Sequence, residues 1–280
     1  MRFVVLESKR RTPMKNTLKA TAGIVLLAAF GGIGSARGAT CSNASLSGTY
    51  GFVHGGTDSG TPVIGLSQAT FDPTTGTYTG EVTENTDGAV ITESLAGTYA
   101  VAPNCTVTAS VRVGSHPAIN VSFVLTPTGF LFLFQKPGAT SSGFGVKQGS
   151  AACTNAGVEG SFGFQTTGAF LAGAPATGPV AFIGELKLTV DPSGAGVIRG
   201  HIAGSEDGTI LTFAEEPVSG SYTVGTDCRG TATITPKGQP EMNFSFVVVD
   251  CGNEMLVLET DADTVVSGTL VKGDERGANP

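Results

Sequence analysis

The 280-residue chain carries 16 Lys and Arg against 23 Asp and Glu, a formal net charge of −7, and 40% of its residues are hydrophobic. That apolar fraction is enough for a core despite 41 glycines and 14 prolines, which argues against wholesale disorder. An acidic chain with no basic stripe and no aromatic–basic interleaving is repelled by phosphate backbones, so nucleic-acid binding is disfavoured.

The first 38 residues read as a secretory signal peptide. Lys9, Arg10, Arg11, Lys15 and Lys19 form a basic region, an apolar run follows from Ala20 to about Ile33, and Ala36-Arg37-Gly38 offers small residues for cleavage. Met1 and Met14 are both candidate starts. The apolar run is shorter than the ~18–20 residues a spanning helix requires, so no stable membrane insertion is expected and the mature protein is placed outside the cytoplasm, secreted or periplasmic. The leader holds seven basic residues and one acid. Taking these from 16 and 23 leaves 9 and 22, a net charge of −13 for the mature chain.

After the leader the chain says almost the same thing twice. "CSNASLSGTYGF" begins at Cys41 and "CTNAGVEGSFGF" at Cys153, 112 residues later (153 minus 41). The correspondence continues in order. Asp72-Pro73 matches Asp191-Pro192, Asp87-Gly88 matches Asp207-Gly208, and "GTYAVAPNC" from Gly97 matches "GSYTVGTDC" from Gly220. Asn120-Val121-Ser122-Phe123 matches Asn243-Phe244-Ser245-Phe246, and Val146-Lys147 matches Val271-Lys272. A period this long reads as a duplicated domain rather than a solenoid. The expected organisation is a signal peptide at 1–38, a first unit at 40–149, a second at 150–274 and a disordered tail at 275–280. Each unit is expected to fold alone.

Within a unit the period is two. Val107, Ala109, Val111 and Val113 alternate with Thr106, Thr108, Ser110 and Arg112, and no segment after Cys41 has a helical period. Strands are expected near 48–54, 63–71, 77–84, 89–101, 105–113, 119–126, 129–135 and 142–147, with Asp-Gly turns at 87–88 and 207–208 marking tight hairpins. Eight strands joined hairpin to hairpin form an antiparallel meander, which removes its free edges by closing into an up-and-down barrel. The fold class is therefore all-β, two tandem barrels, with a β-sandwich per unit as the alternative.

The motifs C-x-N-x-x-φ-x-G-x-[YF]-G-F and G-x-Y-x-V-x-x-[ND]-C resemble those of uncharacterised secreted bacterial repeat proteins. Those families bring no established activity. At the level of the fold alone, the meander is similar to allene oxide cyclase-like and lipocalin-like barrels, but no catalytic motif of either is matched.

Export makes disulfides possible. By the correspondence, Cys41 matches Cys153 and Cys105 matches Cys228, so the expected bonds are Cys41–Cys105 and Cys153–Cys228, with Cys251 left unpaired. None of the three histidines is shared between units: His54 aligns with Thr166, His201 with Glu81 and His116 with Gln239. No nucleophile elbow and no phosphate loop is present. Oxygen-rich groups at Glu84-Asn85-Asp87, Glu206-Asp207 and Glu259-Asp261-Asp263 could serve Ca²⁺ but equally build turns unaided, and no metal or other cofactor is assigned. Glu215-Glu216 falls in an insertion of the second unit and reads as solvated.

The expected function is a non-catalytic binding or envelope module with no assigned catalytic residue, taking a small apolar ligand in a barrel lumen. Asn120, Ser122, Asn243 and Ser245, the repeated polar pair on a strand face, are the candidate lumen polar residues. Two alternatives stay open: a lumen enzyme of isomerase or cyclase type, and a purely structural surface protein with a filled core.

Overall fold

The computed structural model describes residues 40–150, 153–174, 177–211 and 217–273. The expected leader at 1–38, Glu215-Glu216 and the expected tail at 275–280 lie outside the described residues. From Gly48 the chain runs through eight strands: β1 Gly48–Asp58, β2 Thr61–Asp72, β3 Thr77–Thr86, β4 Ala89–Val101, β5 Thr106–Val113, β6 Ile119–Leu125, β7 Gly129–Gln135 and β8 Ala139–Lys147. Each pairs antiparallel with the next. The last returns to the first, from Tyr50↔Lys147 to Asp58↔Ala139, so the sheet has no edge.

The second half contains β9 Gly160–Phe170, β10 Gly178–Val190, β11 Gly196–Glu206, β12 Thr209–Leu211, β13 Pro217–Val224, β14 Arg229–Pro236, β15 Met242–Val249, β16 Glu254–Glu259 and β17 Thr264–Lys272. It closes through β17–β9, β10–β9 and β10–β11, with β11 paired to β13. β12 is a short spur paired to the end of β11. The protein is thus two closed antiparallel barrels of eight strands, and the sandwich alternative is set aside.

Alternation decides which side chains fill each barrel. Along β5, Val107, Ala109 and Val111 are buried while Thr106 and Thr108 are exposed. The first core gathers Tyr50, Phe71, Tyr78, Tyr99, Phe123, Phe130 and Phe132, with Phe123 stacked on Phe130 at 5.0 Å between centroids and Phe71 on Tyr78 at 4.9 Å. The second core is more aliphatic, built on Phe162, Leu186, Ile202, Phe244, Met255 and Val266. The hairpins β3–β4 and β11–β12 turn on Asp87-Gly88 and Asp207-Gly208. All four residues have positive φ, as a two-residue primed turn requires.

One end of each barrel is stoppered by the segment that precedes its first strand. A single 3-10 turn, Asn43–Ser45 or Asn155–Val158, lies there, and Leu46 or Val158 is wholly buried beneath it. Disulfides Cys41–Cys105 and Cys153–Cys228 fasten these stoppers to the loops before β5 and β14. The Tyr99 hydroxyl donates to the Leu46 carbonyl (2.8 Å), and that of Tyr222 to the Asn155 carbonyl (3.0 Å). Two disulfides in one chain fit an oxidising, extracytoplasmic compartment. Cys251 is a free, exposed thiol. Among the described residues no helix is long and apolar enough to cross a membrane.

The barrels meet along an apolar seam. Val247, Val249, Leu256, Leu258 and Val265 of the second pack on Ile64 and Leu66 of the first. Polar bonds frame it. Arg229 pairs with Glu81 (2.8 Å) and donates to Thr83 Oγ1 (2.9 Å), and Asn85 Nδ2 donates to the Thr264 carbonyl (2.6 Å). Gln148 Nε2 donates to the Val248 carbonyl (3.0 Å), and Gln68 bonds both Gln148 and the Asp227 carbonyl. A Cβ on Gly51 would stand 2.6 Å and 2.7 Å from methyls of Val249 and Val247, so only glycine admits this approach.

Candidate functional site

With one end of each barrel stoppered, access is from the other, where the β1–β2, β3–β4, β5–β6 and β7–β8 connections gather in the first barrel. Little of either interior is empty. The space left among the aromatic rings of the first core is about 70 Å³ and that in the second about 20 Å³. These volumes suit a few waters at most, since ligand pockets run to several hundred Å³. The room for an organic molecule is at the mouths, about 330 Å³ in the first barrel and about 380 Å³ in the second.

The repeated polar pair does not face either lumen. Val121 and Phe123 belong to the first core and Phe244 and Phe246 to the second, so by alternation Asn120, Ser122, Asn243 and Ser245 point outward. This corrects the expectation from sequence: where rings and small polar groups alternate, the rings take the inner face. Asn120 is exposed. Asn243 instead builds a connection, its backbone N–H and its Nδ2 donating to the Asp261 carboxylate at 2.7 and 2.8 Å.

The polar groups that do face inward are others. His54 continues the inward register of Tyr50 and Phe52 and lies in the floor of the first mouth. Its ring meets Phe134 edge-on at 4.9 Å, and its Nδ1 has no hydrogen-bond partner. Burial alone drives its pKa down to about 4, so the imidazole is neutral at pH 7. Around it the rim holds Glu84, Glu93 and His116, with the Lys136–Asp58 ion pair at its edge. His116 Nε2 stands 3.7 Å from the Glu93 carboxylate.

In the second barrel Glu259 follows Met255 and Val257 in the inward register of β16. It is buried, its Oε2 lacks a partner, and burial, reinforced by Asp261, raises its pKa to about 8. Glu206, inward on β11, also has a buried, unpartnered oxygen, as does Thr166 on β9. The walls of this mouth are Phe170, Phe182, Ile202 and Met242, and the ionisable groups that line it among the described residues are Glu206, Glu241, Glu259 and Asp261.

Glu206 and Glu259 stand in the oxygen-rich groups read in the sequence as possible Ca²⁺ turns. Parity is the sequence signal that marks them, for each carboxylate continues a strand's inward register. Asn85 of the first such group is a seam residue, its Oδ1 accepting from Gly88 N (3.0 Å).

No family model matches the chain, and no curated protein matches it. Among solved structures it is similar to the crystal structure of a beta-barrel-like protein of domain of unknown function DUF1849 from Brucella abortus. The identity is 13% and the TM-score 0.19, over 81% of this chain and 96% of that one. Likeness at that level carries no functional argument, and the architecture rests on this chain's own strand pairings.

Proposed function

We propose that the protein is an exported, non-catalytic binding module, built from a duplicated barrel, whose second mouth takes a small organic amine with an apolar body. The observation that carries this reading is Glu259: a carboxyl buried in an apolar wall, with an unpartnered oxygen beside a ligand-sized cavity. A buried polar atom without a partner is costly, and a bound donor would remove that cost. The four carboxyl groups among the described lining residues favour a cation over an anion, and the aromatic and aliphatic walls select an apolar body. With no cation beside it, Glu259 holds its proton at pH 7. An ammonium alongside favours the ionised carboxylate, so binding releases that proton.

Calorimetric titration of the full mature chain with linear alkylamines and the matching alcohols tests this. Amines should bind, and below pH 8 the heat should vary with the ionisation enthalpy of the buffer as the proton is released. Glu259→Gln should weaken the amines at least tenfold. Alcohols binding as well as amines, or a Glu259→Gln protein that binds amines unchanged, would refute the reading. Failure of every amine would favour a purely structural role.

A further inference from the structure

Five of the seven large hydrophobic side chains exposed among the described residues fall in two patches, one on each barrel. On the first, Val124 of β6 and Leu131 and Leu133 of β7 are 52%, 56% and 50% exposed. On the second, Ile183 of β10 and Val271 of β17 are 60% and 53% exposed. These two flank Gly163 of β9 in an outer-face depression of about 520 Å³.

The seam between the barrels identifies both patches. Val124 pairs with Leu131 and Ser122 with Leu133, just as Val247 pairs with Leu256 and Ser245 with Leu258. Given the correspondence of Asn120–Phe123 with Asn243–Phe246, the exposed trio holds the positions of Val247, Leu256 and Leu258. Those three are completely buried, pressed on the first barrel. The receiving side shows the same relation. Phe52 pairs with Ser67 and Phe164 with Gly184, so Gly163 and Ile183 hold the positions of Gly51 and Leu66, and Val271 that of Val146. Gly51 is required by the methyls pressed on it. At Gly163 a Cβ would meet nothing nearer than the Val271 carbonyl oxygen at 3.8 Å.

The seam is therefore heterologous: a knob face on one barrel fills a socket face on the other. Each barrel carries the centre of both faces, with Thr126, Thr140 and Ala181 at the positions of Val249, Val265 and Ile64, and the single seam within the chain leaves one knob and one socket unused. We propose that a second copy of this chain fills them. The Val124–Leu131–Leu133 knob of one molecule would seat on the Gly163–Ile183–Val271 socket of the next, giving head-to-tail rows that run on or close into a ring. The contact between molecules is weaker than the seam, because the polar bonds framing the seam are not duplicated. Thr106 stands where Arg229 does, His201 where Glu81 does, and Ser205 where Asn85 does. Association is accordingly reversible and concentration-dependent.

Sedimentation of the full mature chain over a wide concentration range tests this, with two variants that leave the cores untouched. Leu131→Glu blocks the knob, and Gly163→Arg fills the socket from a position with open space above it. The wild type should show a weight-average mass rising with concentration past that of a dimer. Each variant alone should stay monomeric. Mixed, the two should form a 1:1 dimer and stop there, since one supplies an intact socket and the other an intact knob. A wild type that stays monomeric at every concentration, or a Gly163→Arg protein that still self-associates, would overturn the proposal. So would a mixture that yields no dimer.

Discussion

Asn43 and Asn155 do the same thing 112 residues apart. The side-chain oxygen of each accepts the backbone N–H of a valine just beyond the inward tyrosine, Val101 at 2.9 Å and Val224 at 2.8 Å. Each asparagine thereby ties a stopper to the strand that leads into the disulfide loop. The repeated Cys-x-Asn-Ala and Gly-x-Tyr-x-Val motifs are the two halves of one fastening.

Asn43→Ala should therefore destabilise the first barrel by about 1 kcal/mol, the usual worth of a side-chain bond to an otherwise unsatisfied backbone donor. Cys41→Ala should cost more, up to roughly 4 kcal/mol in the chain-entropy model. Cys105→Ala added to it should cost little further, because the two sulfurs make one bond. Chemical denaturation of the single and double variants checks both statements. Additive cysteine effects would mean that the bond is not what holds the stopper.

His54 sets an acid limb on stability. Its folded pKa of about 4 lies below the ordinary 6.5, so the unfolded chain takes up a proton first. Stability contributed by the neutral ring is complete above pH 6.5 and is lost as pH falls from 6.5 to about 4, by on the order of 3 kcal/mol. His54→Phe should flatten that limb in denaturation curves collected across the window. An unchanged limb would place the titrating group elsewhere.

Glu259 acts in the opposite sense. Its folded pKa of about 8 lies above the ordinary 4.5, so the folded chain keeps a proton that the unfolded chain has released. Stability should fall as pH rises from about 4.5 to about 8, by up to about 5 kcal/mol, and level off beyond. Glu259→Gln should abolish this slope and make the protein more stable than wild type at pH 8. A variant less stable than wild type at that pH would show that the ionised carboxylate has a partner.

Gly51 and Gly163 offer a matched pair of substitutions. Gly51→Val drives a side chain into Val247 and Val249 and should cost several kcal/mol by opening the seam, whereas Gly163→Val meets open space and should cost little. Thermal melts of the two variants read this directly. Equal losses would place the cost in the strand and not in the contact.

The sequence expectation that each half folds alone needs a condition. Either barrel closes with its own strands, but separation uncovers Ile64 and Leu66 on one half and Val247, Leu256 and Leu258 on the other. Residues 40–149 and 150–280, expressed apart in an oxidising host, should each self-associate. When mixed at a concentration where the intact chain is monomeric, they should exchange that association for a 1:1 complex. Halves that stay monomeric and ignore each other would show that the seam contributes nothing.

The strands were legible because alternation and turn residues are local. The expected 129–135 coincides with β7, and 77–84 falls two residues short of the end of β3. Orientation was harder. Asn120 and Ser122 are a repeated polar pair, yet the aromatic ring at Phe123 decides which face turns inward. The seam has a sequence signal of its own. Phe246-Val247-Val248-Val249 and Met255-Leu256-Val257-Leu258 are apolar without alternation, which is how strands covered on both faces read. The candidate site was least legible, because Glu206 and Glu259 are 53 residues apart and only closure of the barrel brings them to one rim.

The disulfide pattern has a consequence for how the chain is made. In order of appearance the cysteines are Cys41, Cys105, Cys153, Cys228 and Cys251, and the native bonds join the first to the second and the third to the fourth. If the proposed export threads the chain N-terminus first into an oxidising space, each thiol meets its native partner as the next thiol to arrive. All of β1 to β8 lies ahead of Cys153, so the first barrel can close and withdraw its pair before a wrong partner exists. Oxidation in order of arrival then gives the correct bonds without later reshuffling, and the one thiol left over is the last to appear.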